Sequence, residues 1–269
     1  MIPWLELCRE AVGDLQRLLA ELPTRAEREP VIGMGLGGDE TTAIDAAAEG
    51  AVVARLERLH RQGFDFTLVS EELGERTFGE DRDLWIVLDP IDGSVNAKRD
   101  IPFFSLSLAV ADGPHMSDVA FGFVYDFGSG EEWTAVRGEG AWLNGIRLGE
   151  AEPAETIEIL SFEATLTSLI AERAGAFVGV APRLRVMGSL ALTLCHLAAG
   201  RVDAVCSLKA ARAVDIAAAQ LLVRECGFAV ELFETPPLLE APLDVQARSR
   251  LVAGASLEVC ERLAAALQT

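Results

Sequence analysis

Two aspartates three residues apart end an apolar run in Trp85-Ile86-Val87-Leu88-Asp89-Pro90-Ile91-Asp92-Gly93-Ser94. Leu84 to Leu88 reads as a buried strand. Pro90 shapes the turn between the two carboxylates, and Gly93-Ser94 suits a chain that bends sharply and then begins a helix. Two carboxylates held close at a strand end cannot both stay ionised unless a cation sits with them. Backbone N–H groups at the start of the next helix are natural partners for a phosphate beside that cation. The chemistry indicated is metal-assisted work on a phosphate.

Two further acids have similar settings. Glu71 follows the short apolar run Phe66 to Val69, and Asp215 opens a helix after Ala213-Val214. Glu71, Asp89, Asp92 and Asp215, with the Ile91 carbonyl exposed at the turn, form an all-oxygen donor set of the kind that hard cations such as Mg2+ prefer. Ions held there would polarise a phosphoryl group, steady a leaving oxygen and acidify a bound water. No histidine or cysteine nucleophile is required. Asp45, six residues after Asp39, and Ser94 meet the remaining need. A hydroxyl that donates to Asp45 and accepts from water would align the nucleophile.

The elements that must position these residues are visible in the hydropathy pattern. Residues from about Pro3 to Leu22 have helical spacing, closed by Pro23. The glycine-rich segment Val31 to Gly38 reads as a mobile loop or hairpin. A second helix runs from Asp39 to about Gln62, with Gly63 at its end. Strands follow at 66–69, 84–88, 104–111, 119–126, 132–136 and 141–143. Past Leu148 strand and helix alternate, with strands at 157–162, 183–187, 204–207, 229–232 and 251–253 and helices near 166–174, 189–199, 214–226 and 257–267. The pattern predicts an α+β lobe over residues 1–148 that carries most candidate ligands. An α/β lobe over 149–269 carries Asp215 and substrate contacts, and Glu150 to Pro153 marks the boundary.

The chain has 269 residues, half of them hydrophobic and 24% charged, which is the composition of a folded protein with a substantial core. Its net charge of −19 leaves no basic footprint for nucleic acid. An anionic substrate would be repelled at long range and would need metal to bind. The five cysteines are odd in number and form no CxxC pair, so they read as free thiols of a reducing, cytoplasmic compartment. Neither a signal-peptide pattern nor an apolar run long enough to span a bilayer is evident, and no membrane partner is expected.

Four segments together give a more specific reading. Gly38-Asp39-Glu40-Thr41-Thr42 with Asp45, Val69-Ser70-Glu71-Glu72-Leu73-Gly74, Asp89-Pro90-Ile91-Asp92-Gly93-Ser94-Val95-Asn96 and Arg212-Ala213-Val214-Asp215-Ile216-Ala217 resemble, in order and spacing, the inositol monophosphatase family. Ile101-Pro102-Phe103-Phe104, Leu143-Asn144-Gly145 and Gly188-Ser189 also fit. The nearest branch is the dual-activity type of archaea and some bacteria, which hydrolyses both inositol monophosphate and fructose-1,6-bisphosphate.

The resemblance implies a layered αβαβα sandwich of the sugar phosphatase type, an α/β (α+β) fold. It implies a lithium-sensitive, Mg2+-dependent phosphatase of carbohydrate metabolism that acts on a small phosphorylated metabolite as a homodimer. Two or three Mg2+ ions, replaceable by Mn2+, would be held by Glu71, Asp89, the Ile91 carbonyl, Asp92 and Asp215. Asp45 and Ser94 match the pair that activates water, and Glu71 joins them as a catalytic residue. The Gly93 and Ser94 N–H groups match a phosphate cradle, and Gly188 and Ser189 fall among the substrate contacts. The glycine-rich segment matches a mobile loop that helps complete the metal site, where Asp39 is either a third-ion ligand or only a helix cap.

The chain departs from the animal inositol type in two places. Val214 replaces a tryptophan before the last aspartate, and Lys209-Ala210-Ala211-Arg212 fills the region of the acid that grips inositol hydroxyls. Lys209 and Arg212 are therefore candidates for a second phosphate, which favours fructose bisphosphate or a similar anionic sugar. Arg185 and Arg201 read as surface salt-bridge residues and Glu72 as a solvated or supporting acid. His60 reads as a helix-end residue, His115 as a turn residue and His196 as a satisfied core residue. Alternative substrates for the same chemistry are 3′-phosphoadenosine 5′-phosphate, NADP and histidinol phosphate, although no aromatic or apolar slot for a purine is evident. A non-catalytic metal-binding protein on this scaffold would be expected to have lost one of the acids, and all are present.

Overall fold

The computed structural model describes residues 4–36, 38, 40–80, 83–149, 156–163, 166–234 and 236–268. Helix α1 (Trp4–Glu21) and the single turn α2 (Arg25–Arg28) are followed by the hairpin β1 (Val31–Met34) and β2 (Glu40–Thr42), which leads into α3 (Ala43–Arg61). Next come β3 (Phe66–Ser70), β4 (Gly74–Phe78), β5 (Trp85–Asp92) and the short helix α4 (Ser94–Ala97). A meander follows: β6 (Ser105–Ala111), β7 (Val119–Asp126), β8 (Glu132–Val136), β9 (Gly140–Leu143) and β10 (Ile146–Arg147). The rest alternates through β11 (Ile159–Glu163), α5 (Thr167–Arg173), β12 (Arg183–Arg185), α6 (Leu190–Ala198), β13 (Ala204–Ser207), α7 (Ala213–Glu225), β14 (Ala229–Leu232), β15 (Leu251–Gly254) and α8 (Leu257–Gln268).

Among the described residues the strands form the small β1–β2 hairpin, an eight-stranded sheet in the order β10-β9-β8-β7-β6-β5-β3-β4, and a five-stranded sheet in the order β12-β11-β13-β15-β14. Three apolar clusters define the layers. Leu15 of α1 and Ile44, Val52 and Leu56 of α3 pack on Leu68, Ile86, Leu88, Leu106 and Phe123 at one face of the large sheet. The opposite face, through Val87, Ala109, Val124 and Trp133, meets α6 and α7, which also cover Val205 and Ala253 of the smaller sheet. Leu160, Phe162 and Val252 on the far face of that sheet pack under Val259 and Leu263 of α8. The order is helix, sheet, helix, sheet, helix, the expected αβαβα sandwich.

Two local readings are corrected. The helix expected from Asp39 begins at Ala43, because Glu40, Thr41 and Thr42 pair with Met34, Gly33 and Val31 as a strand. Strand β4, not anticipated, pairs along the whole of β3, from Phe66↔Phe78 to Ser70↔Gly74. Its Glu75 and Arg76 are exposed, so the apolar alternation that marks a half-buried strand is diluted.

The middle layer is held very close to the large sheet. Along β7 the period of two turns Phe123 towards α1 and α3, and Gly122 and Val124 towards α7. A Cβ at Gly122 would lie 2.6 Å from the Ala218 carbonyl oxygen of α7. Only glycine lets the helix backbone rest there. Gly122→Ala is therefore expected to destabilise the chain by about 1–3 kcal/mol through overpacking. Urea denaturation would measure this, and an unchanged midpoint would contradict the contact.

Candidate active site

The parity of two neighbouring strands sets the acids. Val69 of β3 and Val87 of β5 are direct partners in a parallel ladder and both face the α6–α7 layer. Side chains alternate along a strand. Glu71 and Asp89, each two residues further on, therefore leave the sheet on that same face, side by side. Asp215 stands in the first turn of α7, the helix packed there. Asp92 closes β5, where the pairing with β6 shifts register between Asp89 and Asp92. All four acids line one cleft of about 580 Å3.

Each acid has its own support. The Asp89 carboxylate is 2% exposed and accepts the Ile91 N–H at 3.0 Å, which fixes the turn between the two aspartates. Asp92 Oδ2 accepts the Ser189 hydroxyl at 2.5 Å and the Ala191 N–H at 2.8 Å, so it sits at the N-terminal end of α6. Gly93, at φ +90°, turns the chain into α4. A Cβ there would approach the Gly188 and Phe103 carbonyls to 3.0 and 3.1 Å, so a side chain is excluded by conformation and by space. Asn96 ties α4 to the opposite wall by donating to the Phe103 and Met187 carbonyls, both at 2.8 Å.

Burial pushes these carboxyls up, and their mutual repulsion adds to it. Glu71 and Asp92 are raised to about 7, and Asp89 rises well above the usual range under the charges of Glu71, Asp92 and Asp215. Arg212 answers that charge. Its guanidinium is buried and donates to Asp215 Oδ1 at 2.9 Å, and it pairs with Glu71 Oε1 at 2.7 Å. Burial works against the Arg212 charge, but Asp215 and Glu71 outweigh it and hold the group above its normal range. Among the described residues no three acidic, cysteine or histidine side chains close on one point as they stand. The donor set nevertheless fits a hard cation: oxygen only, crowded, and carrying negative charge that one guanidinium does not fully offset.

The other expected residues divide as follows. Asp45, Ile91, Gly93, Ser94, Gly188, Lys209 and Arg212 line the cleft. The Asp45 carboxylate accepts the Thr42 N–H and hydroxyl at 3.1 and 2.6 Å, and its pKa is raised by burial, against the pull of Thr42 and Lys98. No hydrogen bond joins Asp45 to Ser94 among the described residues. Ser189 is not in the cleft wall: it is 1% exposed, donates to Asp92 and caps α6 by accepting from Leu192 N. Arg212, expected to meet a second phosphate, is engaged with Glu71 and Asp215 instead. Asp39 lies outside the described residues. Arg201 forms a two-pronged pair with Glu131, Arg185 is exposed, and His196 is wedged beside Phe103 and Trp133.

Three positions were missed. Lys98 lines the cleft at the end of α4. Glu163 is 7% exposed and also lines it, accepting from Thr193 Oγ1 at 2.7 Å and Gly188 N at 3.0 Å. Glu49, 4% exposed, lies one helical turn beyond Asp45, and burial raises its pKa to about 7. Its spacing of four from Asp45 was the available signal, since that spacing places both acids on one helix face.

A family model described as "Inositol monophosphatase family" matches residues 7–269. The chain is 32% identical over 275 residues to the fructose-1,6-bisphosphatase/inositol-1-monophosphatase of Methanothermobacter thermautotrophicus, covering 98% of this chain and 96% of that one. It is 33% identical over 256 residues to the protein of the same description from Archaeoglobus fulgidus, covering 93% and 92%. A crystal structure described as an inositol monophosphatase–fructose 1,6-bisphosphatase superposes with a TM-score of 0.83 at 25% identity, covering 99% of this chain and 100% of that one.

The raised carboxyls carry a sign for stability. Glu71 and Asp92 keep their protons to about pH 7 in the fold, whereas unfolded carboxyls release theirs at about 4. The folded chain then binds more protons across this window, so it loses stability as pH rises. Without metal, Tm should fall between about pH 5 and about pH 8. The fall should be smaller in Asp92→Asn and should vanish in saturating Mg2+. Thermal unfolding followed by circular dichroism checks this, and a wild-type Tm that climbs through the window would oppose it.

Proposed function

The chain belongs to the inositol monophosphatase family, and on that premise we propose that it is a Mg2+-dependent hydrolase of phosphate monoesters on a small sugar or polyol. Inositol monophosphate and fructose-1,6-bisphosphate are the leading substrates. The observation that carries this reading is the meeting of Glu71, Asp89, Asp92 and Asp215, from two strand ends, a turn and a helix start, in one cleft with Asp45 and Ser94.

In this reading Glu71, Asp89, the Ile91 carbonyl, Asp92 and Asp215 hold two or three Mg2+ ions, and Mn2+ can replace them. Bound metal supplies Lewis-acid polarisation of the phosphoryl oxygens and a lowered pKa for water. Ser94 accepts from the attacking water and passes its own hydroxyl hydrogen towards Asp45, so that the water faces phosphorus in line. The Gly93 and Ser94 N–H groups and the Gly188 edge receive the phosphate, with Asn96 keeping the two walls in register. Glu71 serves both the metal and the water. Lys98 and Lys209 face the cleft and offset its acidity for an anionic substrate. Ser189 acts through Asp92 and not on substrate.

One observation favours a second reading of the leaving group. Val186, Met187 and Leu190 give the cleft an apolar wall beside the Gly188 turn. A flatter, larger leaving group, as in 3′-phosphoadenosine 5′-phosphate or NADP, could lie against it.

We further infer a cytoplasmic homodimer with a two-lobe division near residues 148 and 149. The dimer follows the family resemblance. The compartment is supported by five cysteines that are all free and buried. No described helix is long and apolar enough to cross a membrane.

Phosphate release in Mg2+ should be measured on fructose-1,6-bisphosphate, inositol-1-phosphate and 3′-phosphoadenosine 5′-phosphate. EDTA should abolish turnover and added Mg2+ restore it. Asp92→Asn should lower kcat by about a hundredfold or more while the circular dichroism spectrum is kept. An Asp92→Asn enzyme of normal turnover would refute the role given to that residue, and release of no phosphate from any of the three would refute the function.

A further inference from the structure

Glu49 has no role in the reading above, yet it is a buried acid with three donors aimed at one of its oxygens. Oε1 accepts the Ser70 hydroxyl and the N–H groups of Glu72 and Leu73, the latter two at 3.3 Å. These donors belong to the last residue of β3 and to the turn that joins it to β4. Strand parity explains the geometry. Phe66 and Leu68 face α1 and α3, so Ser70 faces α3 and Glu71 faces α7. Glu49 thus grips the turn from one face of the sheet while Glu71 leaves it on the other.

The turn closes the β3–β4 ladder at Ser70↔Gly74. Glu71 and Glu72 are half-buried and Leu73 is exposed. From above, the β1–β2 hairpin touches the same residues: Leu36 N donates to the Glu72 carbonyl at 3.0 Å, and the Thr41 hydroxyl donates to the Glu72 carboxylate. Glu71 itself is pulled by Arg212 and repelled by its acidic neighbours. A backbone anchored apart from those charges adds a second constraint on where that carboxylate stands.

We propose that Glu49 is a positioning residue for cation binding: through Ser70 and the amides of residues 72 and 73 it holds the backbone from which Glu71 reaches the acid cluster. This rests on the reading of Glu71 as a metal ligand. Asp45 and Glu49 lie four residues apart on α3, so one helix face presents an acid to the cleft and, a turn later, the anchor for another.

The test is calorimetric titration of the full-length chain with Mg2+ alone, beside its circular dichroism spectrum and Tm. Removal of a group that orients a metal ligand costs about 10–100-fold in affinity. Glu49→Ala should weaken Mg2+ binding by about tenfold or more. Glu49→Gln keeps an acceptor at the Oε1 position and should stay within about threefold of wild type, the margin of one weakened neutral hydrogen bond. With Glu71→Gln already in place, adding Glu49→Ala should cause little further loss. A Glu49→Ala chain that binds Mg2+ as wild type does, an equal loss in the Gln and Ala variants, or full additivity with Glu71→Gln would each overturn the inference. Should Glu49→Ala not fold, Ser70→Ala decides: it removes one of the three donors and should weaken binding, and an unchanged affinity overturns the inference. If Glu71→Gln itself binds Mg2+ normally, the ligand assignment fails instead, which is a separate result.

Discussion

Four carboxylates placed where water is scarce repel one another, and the arrangement of this protein is governed by that repulsion. Asp89 is 2% exposed and stands among the charges of Glu71, Asp92 and Asp215. Nothing in the apolar layers around it can dissipate this charge. The relief comes from donors placed one acid at a time: Ile91 N for Asp89, Ser189 and Ala191 for Asp92, and Arg212 for Glu71 and Asp215. The cluster is tolerated because each member is hydrogen-bonded, and its charge is offset only in part by Arg212.

The layered fold produces this crowding from simple rules. A parallel pair, β3 and β5, ends with both chains on one side of the sheet, and the period of two sends Glu71 and Asp89 to the same face. A glycine in β7 lets α7 lie against that face, which brings the Asp215 end of the helix to the strand ends. The second sheet contributes through α6, whose first turn receives Asp92, and through Glu163, which fixes the Gly188 turn. Each layer adds one wall, so the cleft belongs to the sandwich as a whole.

Much of this was legible in the chain. The strand ends at Glu71 and Asp92, the helix start at Asp215 and the alternating second half follow from apolar periodicity and turn residues, and the order of acidic motifs pointed to one family. What escaped reading depends on contacts distant in sequence. Glu40-Thr41-Thr42 looks like a helix start, and only its partner β1 makes it a strand. Glu49 stands among alanines and was not singled out, because nothing local announces Ser70 and the 72–73 amides packed against it. Glu163 ends an apolar strand in the manner of Glu71, but no motif surrounds it, and its partners Thr193 and Gly188 come from 25 to 30 residues later. The side-chain direction of Ser189 was equally hidden: a serine after glycine at a helix start can face a ligand or cap the helix, and here it caps.

Arg212 also has a consequence for how the layers are joined. One guanidinium bridges Glu71 and Asp215, so the acidic centre is closed by the chain's own atoms, the end of β3 joined to the start of α7 through a single side chain. That side chain is thus a clasp between a strand end and a helix start from opposite halves of the sequence, and a neutral residue in its place would leave mutual repulsion where there is now a tie.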